Sequence, residues 1–470
     1  MNHVNIIGAG LAGSEAAWQL AERGIPVRLY EMRPQKFPPA HQTPYFGELV
    51  CSNSLRAARV SNAVGLLKEE MRRHHSLIMQ AADRHRIPAG VALAVDREGF
   101  SKEITEALCG HPQITVIHQE VTDLDDLLAE EAPLIIAAGP LAGEKLSESV
   151  SRLIQEDYLH FHDAVAPIVD GETIDFSIAF RGSRYDRGDD PEGDYVNCPM
   201  NREEYLRFYQ ELVTAETVPL KNFEKEKDFD GCMPIESMAK KGVDTIRFGP
   251  LKPVGIHNPR QEGRESYAIV QLRQDDAAGT MFNLVGFQTR LTWPEQKRVF
   301  RLIPGLEHAE FLRLGVMHRN TFINSGHLTH PHLYLKKNER IFFAGQITGV
   351  EGYIESAASG MAVGINVARR LLGKSLLVWP LTTALGGLMR YITTPAADFQ
   401  PMNVTFGLIA PLEQKVRKKR EKNQLLAKRA LLDLDIFLEK NEMKSDLPRI
   451  LFPVPDQVAE PFAAKEQNEE

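Results

Sequence analysis

The chain has 470 residues, of which 43% are hydrophobic and 25% charged, and a net charge of −8. At roughly 100–200 residues per domain this is a globular protein of several domains, not a fibrous or disordered one. No run approaches the roughly 18–20 consecutive apolar residues of a membrane span, and the start shows no basic region or cleavage site, so a cytoplasmic protein with no signal peptide and no membrane contact is expected.

The first elements carry the strongest local signal. Val4 to Ile7 form an apolar run suited to a buried parallel strand. Gly8, Gly10 and Gly13 then match GxGxxG, with Ala9 inside the turn. Leu11, Ala12, Ala16, Ala17 and Leu20 follow at helical spacing, and Gly24 suits a stop. A second strand runs from Val27 to Tyr30 and ends at Glu31, 18 residues past Gly13. Each part has a physical task in dinucleotide binding. Gly8 permits the tight turn, Gly10 lets backbone approach a pyrophosphate, and Gly13 lets helix and strand pack closely. The helix start offers unpaired N–H groups to the phosphates, and Glu31 accepts from ribose hydroxyls.

Two later fragments extend this reading. "LIIAAGP", Leu134 to Pro140, is a buried strand leading into Gly139. "IFFAGQITGVEGYIESAASG" reads as a strand ending at Ala344, a glycine-rich turn with Gly345 and Gln346, and a helix from about Tyr353 that carries Glu355 and Ser356 near its start. A second glycine-rich strand–turn–helix this late fits a chain that returns to close a flavin site. Together the three fragments favour FAD over a simple NAD dehydrogenase.

Between these halves the pattern changes. "DAVAPIVDGETIDFSIAF" reads as β structure, "SRYDRGDDPEGDYVNCPM" as a polar loop, and "NREEYLRFYQELVTAE" as a helix capped by Asn201. "IRFGPLKPVGI" and "AIVQLRQDD" with "MFNLVGFQT" read as further strands. From about Lys374 onward the chain reads as mostly helical. The expected fold is therefore α/β: a Rossmann-like FAD-binding domain (residues 1–160 and 325–400), interrupted by an α+β insertion (161–324). A helical C-terminal segment with a disordered end (401–470) follows.

The four cysteines form no CxxC pair and no metal-ligand spacing, so no metal is expected, and each is either filler or a reactive free thiol. Cys109 reads as a helix-end residue and Cys198 as a loop residue. Cys51 lies in "ELVCSNSLR", with Val50 behind it and small polar residues ahead. Cys232 follows a turn signal in "FDGCMPIESMAKKG", with Glu236, Lys240 and Lys241 close by. A thiol in a glycine turn near cations is a candidate nucleophile. "KVRKKREKNQLLAKR", Lys415 to Arg429, sets eight basic residues, among them Arg417, Lys418 and Lys419, against Glu421 alone. Such a run is either a solvated helix face or a patch for nucleic-acid phosphates.

These stretches, with "FGPLKPVG", "VGFQTRLTWPEQKRVFRLIPGLEHAEFLRLGVMHRNTFINS" and "TTALGGLMRYIT", make nearly the whole chain resemble the folate- and FAD-dependent tRNA (uracil-5-)-methyltransferases. The resemblance implies methylation of the T-loop uridine (position 54 of tRNA) at C5. Methylenetetrahydrofolate would supply the carbon, FAD the electrons, and NADH or NADPH the reductant. It implies that Cys232 adds to uracil C6 and that Cys51 lies beside the flavin, holding or protecting the transferred carbon. His318 is a candidate for stacking on the pterin, set against a purely structural histidine. Lys240, Lys241 and the Arg417–Lys419 run are candidates for RNA contact, and the target base must be flipped out to react. No obligatory protein partner is expected. The rivals are a related GidA-type flavoprotein that modifies the wobble uridine, a flavin-containing tRNA-binding or chaperone protein, and a flavin oxidase of small amines. The first is a longer chain with an extra helical domain, and the second needs neither cysteine.

Overall fold

The computed structural model describes residues 3–38, 40–156, 158–186, 192–218, 233–260, 266–396 and 399–443. β1 (Val4–Ile7) is buried at every position, because it is the interior strand of a six-stranded sheet. It pairs in parallel with β2 (Val27–Glu31) on one side and with Leu134–Ile136 on the other. Ile114–His118 extends the sheet beyond β2, Asn338–Phe343 lies beyond Leu134–Ile136, and both pairings are parallel. Tyr334–Leu335 closes the far edge as an antiparallel strand. This is the α/β, Rossmann-like arrangement expected from the chain.

Small residues set the depth of the helical layer. α1 (Leu11–Ala21) packs against the long helix Tyr353–Leu371 with their backbones nearly touching. A Cβ at Gly360 would lie 2.1 Å from the Ala12 carbonyl oxygen, and one at Gly364 would lie 2.8 Å from that of Ala16. Both helices can therefore aim their N-termini at the same end of the parallel sheet, which is where ligands bind in open α/β folds.

A second six-stranded sheet is antiparallel, in the order Phe180–Gly182, Tyr195–Met200, Ala268–Gln274, Met281–Leu284, Ile168–Asp170, Phe311–Arg313. Its own hydrophobic core includes Val196, Cys198, Phe208, Phe282, Phe287 and Phe300. Helix Arg202–Thr214 covers part of it, opened by a capping box between Asn201 and Glu204. A two-stranded ribbon, Leu159–Ala164 with Met317–Phe322, runs between the two sheets. No helix among the described residues is long and apolar enough to cross a membrane.

Three local expectations are corrected. Thr245–Phe248 is a short helix followed by turns, where strand was expected. Pro250 and Pro253 have no N–H to give a ladder, and Phe248 points to solvent. Cys198 belongs to a strand and is fully buried, not placed in a loop. Pro199 disguised that strand, whose Val196, Cys198 and Met200 join the core of this sheet. The tail holds helices Ala384–Ile392 and Lys419–Lys440, and the described residues between them, with Pro395, Pro401 and Pro411, form no further helix. The residues after 443 lie outside those described.

Candidate functional site

The Gly8–Gly13 turn does what its spacing demands. Gly8 has φ +97°, and a Cβ there would lie 2.6 Å from the Ala137 carbonyl oxygen. A Cβ at Gly13 would lie 1.8 Å from the Gly8 carbonyl oxygen, so helix and turn meet without a side chain between them. Gly10 caps α1 and faces open space, with nothing within 4 Å of an added Cβ. Gly139 is equally open at φ +72°. Both line a cleft with about 1070 Å³ of free space, shared with Glu31, Gly345, Gln346 and Ser356.

Glu31 ends β2 and is only 6% exposed. One carboxylate oxygen accepts from the Ala9 N–H at 2.9 Å, and the other accepts from Arg33 Nε at 2.9 Å. Burial pushes this carboxyl up, but the Arg33 guanidinium and the backbone N–H groups outweigh it and hold it below the usual range. An ionised acid therefore stands at the strand end; with the Arg33 N–H also donating to Oε1 at 3.1 Å, one acceptor position on Oε2 is left for a hydroxyl. On the far side of the cleft, Gly345 has φ +85° and its N–H donates to Ser359 Oγ at 2.7 Å.

A larger cleft, with about 1600 Å³ of free space, continues from the first. Val50, Pro140, Leu141, Gln346, Tyr353 and Ser356 line both. Cys51 lies in the larger one and is half-buried. Its loop is held from every side. Tyr353 Oη accepts from the Cys51 N–H at 2.6 Å and the Ser52 N–H at 3.2 Å. Arg97 donates to the Leu49 carbonyl and forms a two-point pair with Asp275, at 2.8 and 3.0 Å. Arg313 donates to the Val50 carbonyl at 2.7 Å. Arg273 donates to Ser52 Oγ at 2.6 Å and Asn53 Oδ1 at 2.9 Å.

The cost of this cradle shows in its electrostatics. Burial pulls Arg273 and Arg313 below the usual guanidinium range, while the charge of a Cys51 thiolate acts in the opposite sense on both. Three guanidiniums thus hold the loop that carries the thiol and feel its charge, and Asp275 pairs with that of Arg97. Sequence reasoning found Cys51 but missed this cradle. Arg273 and Tyr353 lie 221 and 302 positions away from the residues they hold. The one local hint was Tyr353 itself, an aromatic hydroxyl opening a helix at the flavin end.

The other expected residues fall in several places. Glu355 lines the larger cleft, but its carboxylate is engaged by Arg56 at 2.9 Å and the Val404 N–H at 3.0 Å. His318 sits on the linking ribbon, opposite Asp163 in register. Lys240 and Lys241 end the helix Ile235–Lys240, exposed and outside both cleft linings. Arg417, Lys418 and Lys419 are exposed where the Lys419–Lys440 helix begins. Cys232 lies outside the described residues. Three positions on, Ile235 donates its N–H to the Gln288 carbonyl, and Gln288 lines the larger cleft. Burial pushes the Cys198 thiol well up, which suits filler. Cys109 is exposed at a helix end. Among the described residues no group of three or more His, Cys, Asp or Glu could hold a metal ion.

The family model for "Glucose inhibited division protein A" matches residues 3–375. The methylenetetrahydrofolate–tRNA-(uracil-5-)-methyltransferase TrmFO of Heliobacterium modesticaldum is 60% identical over 439 residues, covering 93% of this chain and 98% of that protein. The chain belongs to the TrmFO family. The TrmFO protein of Anoxybacillus flavithermus is 57% identical over 438 residues, covering 93% and 99% of the two chains. Among solved structures, Aquifex aeolicus GidA superposes with a TM-score of 0.65 at 16% identity, over 95% of this chain and 74% of that one. TrmFO membership accounts for a shared fold with GidA at a sequence distance where only the fold persists.

Proposed function

We propose that the chain methylates C5 of the T-loop uridine of tRNA, forming ribothymidine, with methylenetetrahydrofolate as carbon donor, FAD as cofactor and NADH or NADPH as reductant. The observation that carries this reading is the position of Cys51. It lines the larger cleft, next to Val50, which lines that cleft and the glycine-turn cleft alike, on a loop fixed by Tyr353 and three arginines. A scaffold protein has no need of a thiol fixed so firmly. The wobble-uridine alternative is disfavoured by 55–60% identity to TrmFO proteins, against 16% to GidA.

Glu31 would hold the adenosine ribose, and the α1 N-terminus at Gly10 the pyrophosphate. Gln346 and Ser356, which line both clefts, would meet the flavin end. Bound flavin supplies the electrons that turn a transferred methylene into methyl. The protein's own groups do the rest. Uracil C5 is a weak nucleophile until a group adds at C6, and the Cys232 thiolate is assigned that addition. Cys51, in the lining of the larger cleft, is assigned to guard the transferred carbon beside the flavin. His318 is assigned to the pterin, and Lys240, Lys241 and Arg417–Lys419 to tRNA phosphates. The last three sit at the positive end of a helix dipole and form no salt bridge among the described residues. That arrangement disfavours the helix and suits an anion. Residues 161–324 are taken as the inserted unit, supported by their separate core, and a cytoplasmic location fits tRNA as substrate.

The test uses purified protein, a T-loop RNA minihelix, NAD(P)H and folate labelled on the transferred carbon. Label is expected in the target uridine for wild type, and is expected to be lost in Cys51→Ala and Cys232→Ala while FAD stays bound. No label with wild type would overturn the proposal.

A further inference from the structure

Asn283 lies on the Met281–Leu284 strand of the antiparallel sheet and is only 2% exposed, yet its side-chain Nδ2 has no hydrogen-bond partner in the protein. Leaving a buried amide unpaired costs stability, and buried polar groups are seldom left so. The residue lines the larger cleft, together with Cys51, Gln288 and Asn320. Its cross-strand partner in register is Arg273. Directly opposed residues project from the same face of a sheet with their Cβ atoms about 5 Å apart. Arg273 is also the group that fixes Ser52 and Asn53 beside the thiol. The unpartnered amide therefore stands next to the anchor of the Cys51 loop, in the lining of the larger cleft.

We propose that Asn283 recognises a substrate heterocycle at the Cys51 site by donating its amide N–H to a ring carbonyl that is flanked by a ring N–H. This lactam edge is common to uracil and to the pterin of reduced folate, so the inference rests on the proposed function and deepens it. An amide that serves the fold would have a partner in the folded protein. One that serves a ligand is paired only when the ligand arrives. A site built to hydrogen-bond a ring carbonyl also rejects rings that lack one, because the buried N–H is then left unpaired.

The test compares full-length wild type, Asn283→Asp and Asn283→Ala, all loaded with FAD. Tetrahydrofolate is titrated by quenching of the bound flavin, and the T-loop minihelix by filter binding. FAD content is expected to stay at the wild-type level in both variants, and urea stability to stay level or rise in Asn283→Ala, which removes the unpaired amide. At neutral pH the aspartate cannot donate, and affinity for one ligand is expected to fall about tenfold or more. On acidification the protonated carboxyl regains an O–H donor, so affinity should recover in Asn283→Asp and not in Asn283→Ala. Loss confined to tetrahydrofolate assigns the carbonyl to the pterin, and loss confined to RNA assigns it to uracil. Unchanged affinity for both ligands, or losses that track loss of FAD or of stability, would overturn the inference. Methyl transfer by wild type is scored separately: its absence would sink the proposed function and leave the binding result to be read by itself.

Discussion

Removing one oxygen from Tyr353 tests whether the Cys51 loop is held as described. Tyr353→Phe keeps the ring that packs at the helix start and deletes only the hydroxyl that accepts from the Cys51 and Ser52 N–H groups. A buried donor left without its acceptor costs about 1–3 kcal/mol. Two donors set a ceiling of about 6 kcal/mol. Cys51 is half-buried, so water can reach part of the gap, and the 3.2 Å bond to Ser52 is the weaker of the two. A loss of about 2 kcal/mol in urea unfolding is therefore expected. Arg273, Arg313 and Arg97 still grip the loop on either side, so it should loosen at the thiol without coming away. Methyl transfer should fall by about tenfold to a hundredfold, as expected when a reacting group is displaced by a fraction of its bond length to substrate. The measurements are urea unfolding, FAD content and labelled-carbon transfer on the same preparation. Because Tyr353 also lines the first cleft, FAD must be counted: activity lost along with FAD would not speak to the loop. Wild-type stability together with wild-type activity in Tyr353→Phe would refute the reasoning.

Other expectations follow from the same geometry. Gly13→Ala places a Cβ 1.8 Å from the Gly8 carbonyl oxygen, so the purified variant should carry little FAD by its visible absorbance; full occupancy would contradict the packing. Glu31→Gln removes the charge that Arg33 balances and one of the ribose acceptors, and FAD affinity should drop about tenfold by equilibrium dialysis. Burial raises the Glu70 carboxyl to about 7 from 4.5, although it accepts from the Ala384 and Leu385 N–H groups at 2.8 Å. The folded state thus holds a proton that the unfolded chain releases. Glu70's contribution is full below about pH 4.5 and is lost as pH rises through about 7. Wild type should therefore lose roughly 2–3 kcal/mol of stability relative to Glu70→Gln over that window, and a flat difference between the two unfolding curves would argue against it. Burial lowers His74 to about 4, and its ring accepts from Trp379 Nε1 at 3.0 Å. Its contribution is full above about 6.5 and is lost as pH falls through about 4, so His74→Gln should flatten the acid side of the stability profile.

The first half of the site could be read along the chain because dinucleotide binding is a local device. Turn, helix start and strand end occupy Gly8 to Glu31; the positive φ at Gly8 and the approach of its carbonyl to Gly13 are local demands, and the contact of Gly8 with Ala137 comes from afar. The returning helix was legible for the same reason, since Gly345 and Tyr353 bracket one strand–turn–helix unit. Where prolines interrupted the pattern, reading failed: Pro199 hid a strand, and Pro250 with Pro253 ended an expected one. Cys51 was visible as an oddity of composition, and its role rested on resemblance to a family. What the sequence by itself determined, then, is the nucleotide-binding frame, because its turn, helix start and strand end are set largely by near neighbours, together with the positions of the two candidate thiols. The environment of Cys51 was decided only in the tertiary structure. Arg97, Arg273, Arg313 and Tyr353 come from four distant stretches, Asn283 is an ordinary strand residue until its empty amide is seen, and the field at a thiol depends on distances through space that no spacing along the chain encodes.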